Sequence, residues 1–289
     1  MSVWTRPLQV GIRVVVGLAA AVGGIGLVLF VLVLRQLPRL PEDFAELATQ
    51  PGTEMFAASG ERIYSFNASR RWASLPQIAP EVIQALLATE DLDFYRHAGV
   101  DIKAIAAAVH ANFTEGYGRR GGSTLTQQLI KRMFFSPEKS IRRKLAEMSL
   151  ALELEALMAR TYPGTEMGPL GEEVRAYKNR LLELYLNTVF YGASAYGIAD
   201  AAHTFFGTTP DSLDAGQAAL LMGLINAPTA YNPLQRPERA TERLRHVVRR
   251  MEAAGFLSRQ QAAKLARLEA AALLDPQPLY QSLDGLLND

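Results

Sequence analysis

Residues 121–131 read Gly-Gly-Ser-Thr-Leu-Thr-Gln-Gln-Leu-Ile-Lys. Gly121 and Gly122 end a loop, and Thr124 with Gln127 has the T-x-x-Q spacing of a capping box, which predicts a helix over 124–134. A helix that starts this way turns unpaired N–H groups and the positive end of its dipole toward whatever lies in front. Ser123, Thr124, Thr126, Gln127, Gln128 and Lys131 add hydrogen-bonding groups and one cation. The stretch suits an extended, oxygen-rich anionic ligand, or else an ordinary capped surface helix.

Outward from this stretch the chain reads as a series of helices. Pro80 suits a first helical position, and Val82, Ile83, Leu86 and Leu87 lay down an apolar stripe. Ile102 to Val109 is an alanine-rich helix, and 112–122 a loop rich in glycine. Further helices are predicted near 139–158, 174–190, 212–225, 238–254 and 258–272, and a short hairpin at 53–57 and 61–66 around Ser59-Gly60. The fold class is mostly α. In the helix after Pro137, Ile141, Leu145, Met148 and Leu152 recur at heptad spacing, which predicts the core side. Arg143, Lys144, Glu147 and Ala151 lie on another side, as a ligand-facing surface or a solvated charge run. Asn179, Glu183 and Asn187 form a polar line at i, i+4, i+8, and Glu183 and Asn187 are expected to be scaffold, because a buried polar line needs partners.

Composition narrows the function classes. The 289 residues, 49% hydrophobic and 20% charged, allow one large or two small domains. A net charge of +1 gives no case for nucleic acid as a partner. The lack of cysteine excludes disulfides, thiolate nucleophiles and zinc–thiolate sites. Residues 14–34 carry no charge and would span ~31 Å as a helix, enough to cross a bilayer core. They run on past Ala19–Ala21, where a leader could be cut, so an uncleaved transmembrane helix is predicted. Arg6 and Arg13 before it and Arg35 and Arg39 after it leave its orientation open. Pro38, Pro41 and Pro51 mark 35–52 as a juxtamembrane linker.

Five segments in order resemble the family 51 glycosyltransferases, the peptidoglycan polymerases that join lipid-linked disaccharides into glycan strands. They are Glu90 to Gly99, fitting E-D-x-x-F-x-x-H-x-G; the 121–131 string; Arg143 to Glu147, fitting R-K-x-x-E; Lys178 to Asn187, fitting K-x-x-x-L-E-x-Y-L-N; and Ala227 to Pro233. Residues 161–173 depart from the pattern, and two prolines and two glycines within 162–169 predict a surface insertion. Arg132 stands where the family often has asparagine.

The resemblance implies a lysozyme-like helical glycosyltransferase domain over 53–235, behind a 1–13 cytoplasmic tail and the 14–34 span, with a C-terminal helical extension over 236–289. It implies inverting transfer that polymerises lipid II and releases undecaprenyl diphosphate. Glu90 would be the base and Glu147 the second carboxylate, with Asp91, Gly122, Ser123, Thr124, Gln127, Gln128, Lys131, Arg143, Lys144 and Lys178 on the substrate. Asp91 and His97 would also order their own loop. No organic cofactor is expected, and a divalent magnesium or manganese ion stays open. The partners implied are lipid II, the growing glycan strand, the membrane and other cell-wall synthesis proteins. The implied location is the bacterial cytoplasmic (inner) membrane, single-pass, with the catalytic domain on the outer, periplasmic face. The chain would be a monofunctional enzyme or a piece of a bifunctional one.

The residues themselves suit that chemistry. Glu90 continues the stripe of Ile83, Leu86 and Leu87, and partial desolvation makes a carboxylate a better proton acceptor near neutrality. A hydrolase on a similar groove would also need such a carboxylate, but would have no diphosphate for Arg143 and Lys144 to neutralise. A non-catalytic cell-wall scaffold would need neither Glu90 nor Glu147. Two short matches are rejected. Gly116 to Gly121 fits G-x-G-x-x-G but follows a helix, and Ser136 to Lys139 fits S-x-x-K without S-D-N or K-T-G partners.

Overall fold

The computed structural model describes residues 54–56, 62–65, 71–114, 122–135 and 140–276, with isolated positions between 24 and 35. The expected span at 14–34, the linker at 35–52 and the 115–121 part of the expected loop lie essentially outside these residues. No helix among the described residues is long and apolar enough to cross a membrane.

Helices dominate. In chain order they are α1 (Pro80–Glu90), α2 (Ile102–Thr114), α3 (Leu125–Phe134), α4 (Ile141–Thr161), α5 (Ala176–Thr188), α6 (Ile198–Phe206), α7 (Ala215–Leu224), α8 (Pro237–Ala253) and α9 (Arg259–Leu265). Three two-stranded antiparallel hairpins, β1–β2 (Glu54–Phe56 and Arg62–Ser65), β3–β4 (Thr165–Met167 and Glu173–Arg175) and β5–β6 (Phe190–Gly192 and Ala195–Tyr196), and three short 3-10 turns complete the described elements. The first pairs Glu54 with Ser65, as the sequence predicts. The second is the 161–173 insertion, which folds as a hairpin and docks through Glu166, whose carboxylate accepts from Asn179 Nδ2 at 2.8 Å.

The helices form two groups. α7 is apolar all round and nearly every residue in it is buried, so it has to sit inside the protein, packed between α1 and α8. α3, α4 and α5 make the second group. α8, expected in a C-terminal extension, instead places Leu244, Val247, Val248 and Met251 in the same core as α1 and α7. The boundary at residue 235 therefore does not separate two packing units.

The largest difference from the sequence reading is on α4. Its expected core stripe is wet: Ile141 is 82% exposed and Leu152 49%. The buried face carries Ala146, Glu147, Leu150, Ala151, Leu154, Glu155 and Met158. Two carboxylates go inside because both find partners there, Glu147 in Arg143 and Lys144 on α4 itself and Glu155 in Thr126 and Lys178 on α3 and α5. α6 and the β5–β6 hairpin were not expected. The hairpin turns on Ala193 and Ser194, both at positive φ, where Asn-Gly would have been the recognisable signal.

Gly99 shows why the first motif ends in glycine. Its φ is +78°, and a Cβ there would lie 2.7 Å from the carbonyl oxygen of Ala151 on α4. Gly164 also has positive φ, +90°, but open space around it. Gly99→Ala should therefore cost more than ~2 kcal/mol, from backbone strain plus collision. Gly164→Ala should cost only the left-handed penalty of about 1 kcal/mol. Paired thermal melts measure the difference.

Candidate active site

The cleft lies where the two helix groups meet. Glu90 (end of α1), Ser123, Gln127, Gln128, Lys131 and Arg132 (α3 and its approach), Glu147 (α4) and Asn226 (after α7) line a cavity of about 160 Å³.

Its position is set by how α3 begins. Thr124 is the N-cap, and its hydroxyl accepts from Gln127 N–H at 3.2 Å while donating to Gly99 O at 2.6 Å. Asp91 takes the next amide, accepting from Leu125 N–H at 2.9 Å. His97 Nε2 lies 2.9 and 3.1 Å from the two oxygens of Asp91. The first motif is thus fastened to the start of α3, and Glu90 comes to rest one turn along it. Gln128 Nε2 donates to Glu90 Oε2 at 2.9 Å, and Tyr185 on α5 donates its hydroxyl to Gln128 Oε1 at 3.0 Å. Arg243 on α8 approaches the other oxygen of Glu90 at 4.0 Å.

Across the cavity Glu147 is buried between two cations. Arg143 Nε lies 3.2 Å from one of its oxygens and Lys144 Nζ 3.3 Å from the other. Lys144 also donates to Ser123 Oγ at 2.8 Å and Gln127 Oε1 at 2.9 Å. Gln127 therefore does not close the reciprocal half of the predicted capping box: its carbonyl turns to Lys144, and its buried amide nitrogen has no hydrogen-bond partner among the described residues. Lys131 sits at the same cavity with its ammonium pushed below the ordinary lysine range. Desolvation is the main cause, followed by Arg132, with Arg143 and Lys144 adding and Glu147 opposing. The cleft has a surplus of positive charge, held next to two carboxylates. Such a site favours an anion.

Of the expected substrate contacts, the structure brings Ser123, Gln127, Gln128, Lys131, Arg143 and Lys144 together around Glu90 and Glu147. Four others have different duties. Asp91 is buried with both oxygens engaged internally, and Thr124 uses its hydroxyl for the cap and for Gly99. Gly122 is small because α2 passes there: a Cβ would lie 3.2 Å from the Cα of Ile105.

Lys178 is the clearest correction. It is fully buried and ion-paired to Glu155 at 2.8 Å, with its ammonium 4.4 Å from the centre of the Phe94 ring. Burial lowers its proton affinity and Glu155 works to restore it. Glu155 also accepts from Thr126 Oγ1 at 2.6 Å and Tyr177 OH at 3.2 Å. The network ties α3, α4 and α5 together.

Glu155, Tyr185 and Arg243 were missed as partners. Tyr185 lies inside the fourth motif, and no local pattern marks the other two. Glu183 and Asn187 do serve as scaffold. Glu183 accepts from Trp72 Nε1 at 2.9 Å and Leu75 N–H at 2.7 Å, and Asn187 bonds both backbone groups of Ala73. Among the described residues no group of three or more His, Asp or Glu side chains could hold a metal ion. Glu147 is already held by two cations and Glu90 by Gln128 and Arg243, so the donor set does not suit a divalent ion.

Helices, a polar cleft, two carboxylates and clustered cations make a site whose charge suits an anion. The comparisons with known proteins are specific. A family model described as Transglycosylase matches residues 59–252. Penicillin-binding protein 1A/1B of Bacillus subtilis (strain 168) is 36% identical over 245 residues, which cover 84% of this chain and 25% of that protein. Penicillin-binding protein 1A of Escherichia coli (strain K12) is 36% identical over 227 residues, covering 78% of this chain and 25% of that one. A crystal structure of penicillin-binding protein 1A from Haemophilus influenzae overlays loosely, with TM-score 0.38 and 20% identity over 76% of this chain and 21% of that one. The chain belongs to the transglycosylase family and contains a peptidoglycan glycosyltransferase domain. It spans about a quarter of the length of these relatives.

The buried ion pair gives a test that separates structure from substrate contact. Lys178→Met leaves Glu155 charged and unpaired in the core, which should cost ~3–5 kcal/mol. Adding Glu155→Gln should recover much of that loss. Urea unfolding of the single and double variants measures both. A substrate-contacting lysine would instead leave stability unchanged.

Proposed function

We propose that the domain polymerises lipid II, joining lipid-linked disaccharides into glycan strands by a single inverting displacement. The observation that carries this is one cavity holding Glu90 opposite a cation cluster built around Glu147. Glu90 removes the proton from the 4-hydroxyl of the acceptor sugar. The oxygen attacks the anomeric carbon of the donor, and the bond to the lipid diphosphate breaks with its electron pair leaving on the diphosphate. Lys131, Arg143 and Lys144 neutralise that charge, so no strong general acid is needed. Glu147 holds the two neighbouring cations in place. Ser123 and the buried amide of Gln127 offer hydrogen bonds to the leaving group's oxygens. A hydrolase would have no use for such a cation cluster.

The all-helical cleft suits a lysozyme-like frame. A membrane-bound enzyme on the outer face of the bacterial inner membrane is supported by the apolar run at 14–34 and by Ile102, Ile141 and Leu152, apolar side chains that α2 and α4 leave in solvent. A lipid-linked substrate requires that proximity, since tethering raises its effective concentration. No step is assigned to a metal ion.

Purified protein given labelled lipid-linked disaccharide, scored for polymer and released lipid diphosphate, tests the proposal; no polymer from a folded protein refutes it. In that assay Glu90→Gln, which keeps shape but cannot accept a proton, should lose ~10²–10⁴-fold in rate. Lys144→Met and Arg143→Met should each cost ~2–4 kcal/mol in transition-state stabilisation. If both retain wild-type rate and substrate affinity, their charges do not touch the leaving group.

A further inference from the structure

Glu90 is gripped by two side chains that the proposed chemistry leaves unused, Gln128 and Arg243. On one oxygen, Gln128 donates an amide N–H at 2.9 Å. An amide has one acceptor end and one donor end, so its orientation decides what Glu90 sees. Tyr185 makes that choice, because its hydroxyl occupies Gln128 Oε1 at 3.0 Å and leaves the NH₂ facing the carboxylate. Tyr185 is fully buried, and burial pushes its phenol well above the ordinary tyrosine range, so it keeps the O–H that it donates to Gln128.

The second oxygen faces Arg243 Nη2 at 4.0 Å. Arg243 is itself anchored, with Nε donating to Gly223 O at 3.3 Å and its guanidinium 5.8 Å from the centre of the Tyr231 ring. Gly223 sits inside α7, where glycine is a poor helix former. A Cβ there would come 3.0 Å from Arg243 Cγ, so this glycine lets α8 bring the arginine onto the cleft. Both contacts offer donors only, which aim the oxygens of the carboxylate.

We infer that Tyr185, acting through Gln128, and Arg243 are positioning residues that orient Glu90 for proton abstraction without touching the substrate. This rests on Glu90 being the base. Tyr185→Phe deletes one hydroxyl, and Arg243→Met removes the charge but keeps much of the stem. Each should lower kcat about 10-fold, the scale of one lost hydrogen bond or ion pair, with KM within about 2-fold of wild type. Arg243→Lys should regain most of the loss, since a cation returns to the same place.

The experiment is steady-state polymerisation by the full chain in detergent, with thermal melts of every variant and Glu90→Gln in parallel. The expected result is a kcat loss at unchanged KM in both variants. If Glu90→Gln is inactive while folded Tyr185→Phe and Arg243→Met keep wild-type kcat, the positioning inference is wrong and the base assignment stands. If Glu90→Gln stays active, the base assignment falls and the inference falls with it. Should Tyr185→Phe fail to fold, Arg243→Met, at a site that only borders the cleft, decides between these outcomes.

Discussion

The architecture of the cleft depends on a single buried carboxylate, Asp91. It ends α1, accepts the first free amide of α3 at Leu125 and pairs with His97, so three pieces of chain meet on one side chain. Glu90 precedes it directly and is fixed one turn along α3 against Gln128. Thr124 seals the junction from the other side by bonding Gly99 O, which lies against α4 where only glycine fits. A buried carboxylate of this kind is tolerable because both of its oxygens have hydrogen-bond partners.

A second buried charge organises the opposite wall. Lys178 and Glu155 form a pair within the α3–α4–α5 group, closed by Thr126 and Tyr177. Replacing such a network with apolar residues can be neutral for stability, whereas removing one member leaves a charge without a partner. Its consequence for the cleft is geometric. Thr126 and Gln127 are neighbours on α3, so locking Thr126 to α4 also sets the reach of Gln127 toward Lys144.

Between these two anchors the cleft collects cations around two carboxylates, the buried Glu147 and Glu90. Glu147 sits between Arg143 and Lys144, and Lys131 loses proton affinity first to desolvation and then to the positive charge of Arg132, Arg143 and Lys144. An anionic leaving group would relieve that repulsion, which makes the field more favourable as charge develops on the diphosphate. The family to which the chain belongs performs glycosyl transfer, and this distribution of charge suits it better than hydrolysis.

The sequence by itself determined the helical class, nearly all helix positions and the two stretches that build the cleft. Periodicity, prolines, caps and motif spacing are local, and they survived folding at Pro80–Glu90, Leu125–Phe134 and Ala176–Thr188 almost unchanged. It did not reveal which face of Ile141–Thr161 goes inside. The apolar heptad of Ile141, Leu145, Met148 and Leu152 competed with a face bearing Glu147 and Glu155, and the second won because Arg143, Lys144, Lys178 and Thr126 satisfy those charges. For the same reason Lys178 looked like a substrate contact, and Arg243 looked like part of a separate extension. Whether a charge is buried, paired or free to meet a ligand depends on donors brought from distant segments, and only the tertiary structure decides which segments meet.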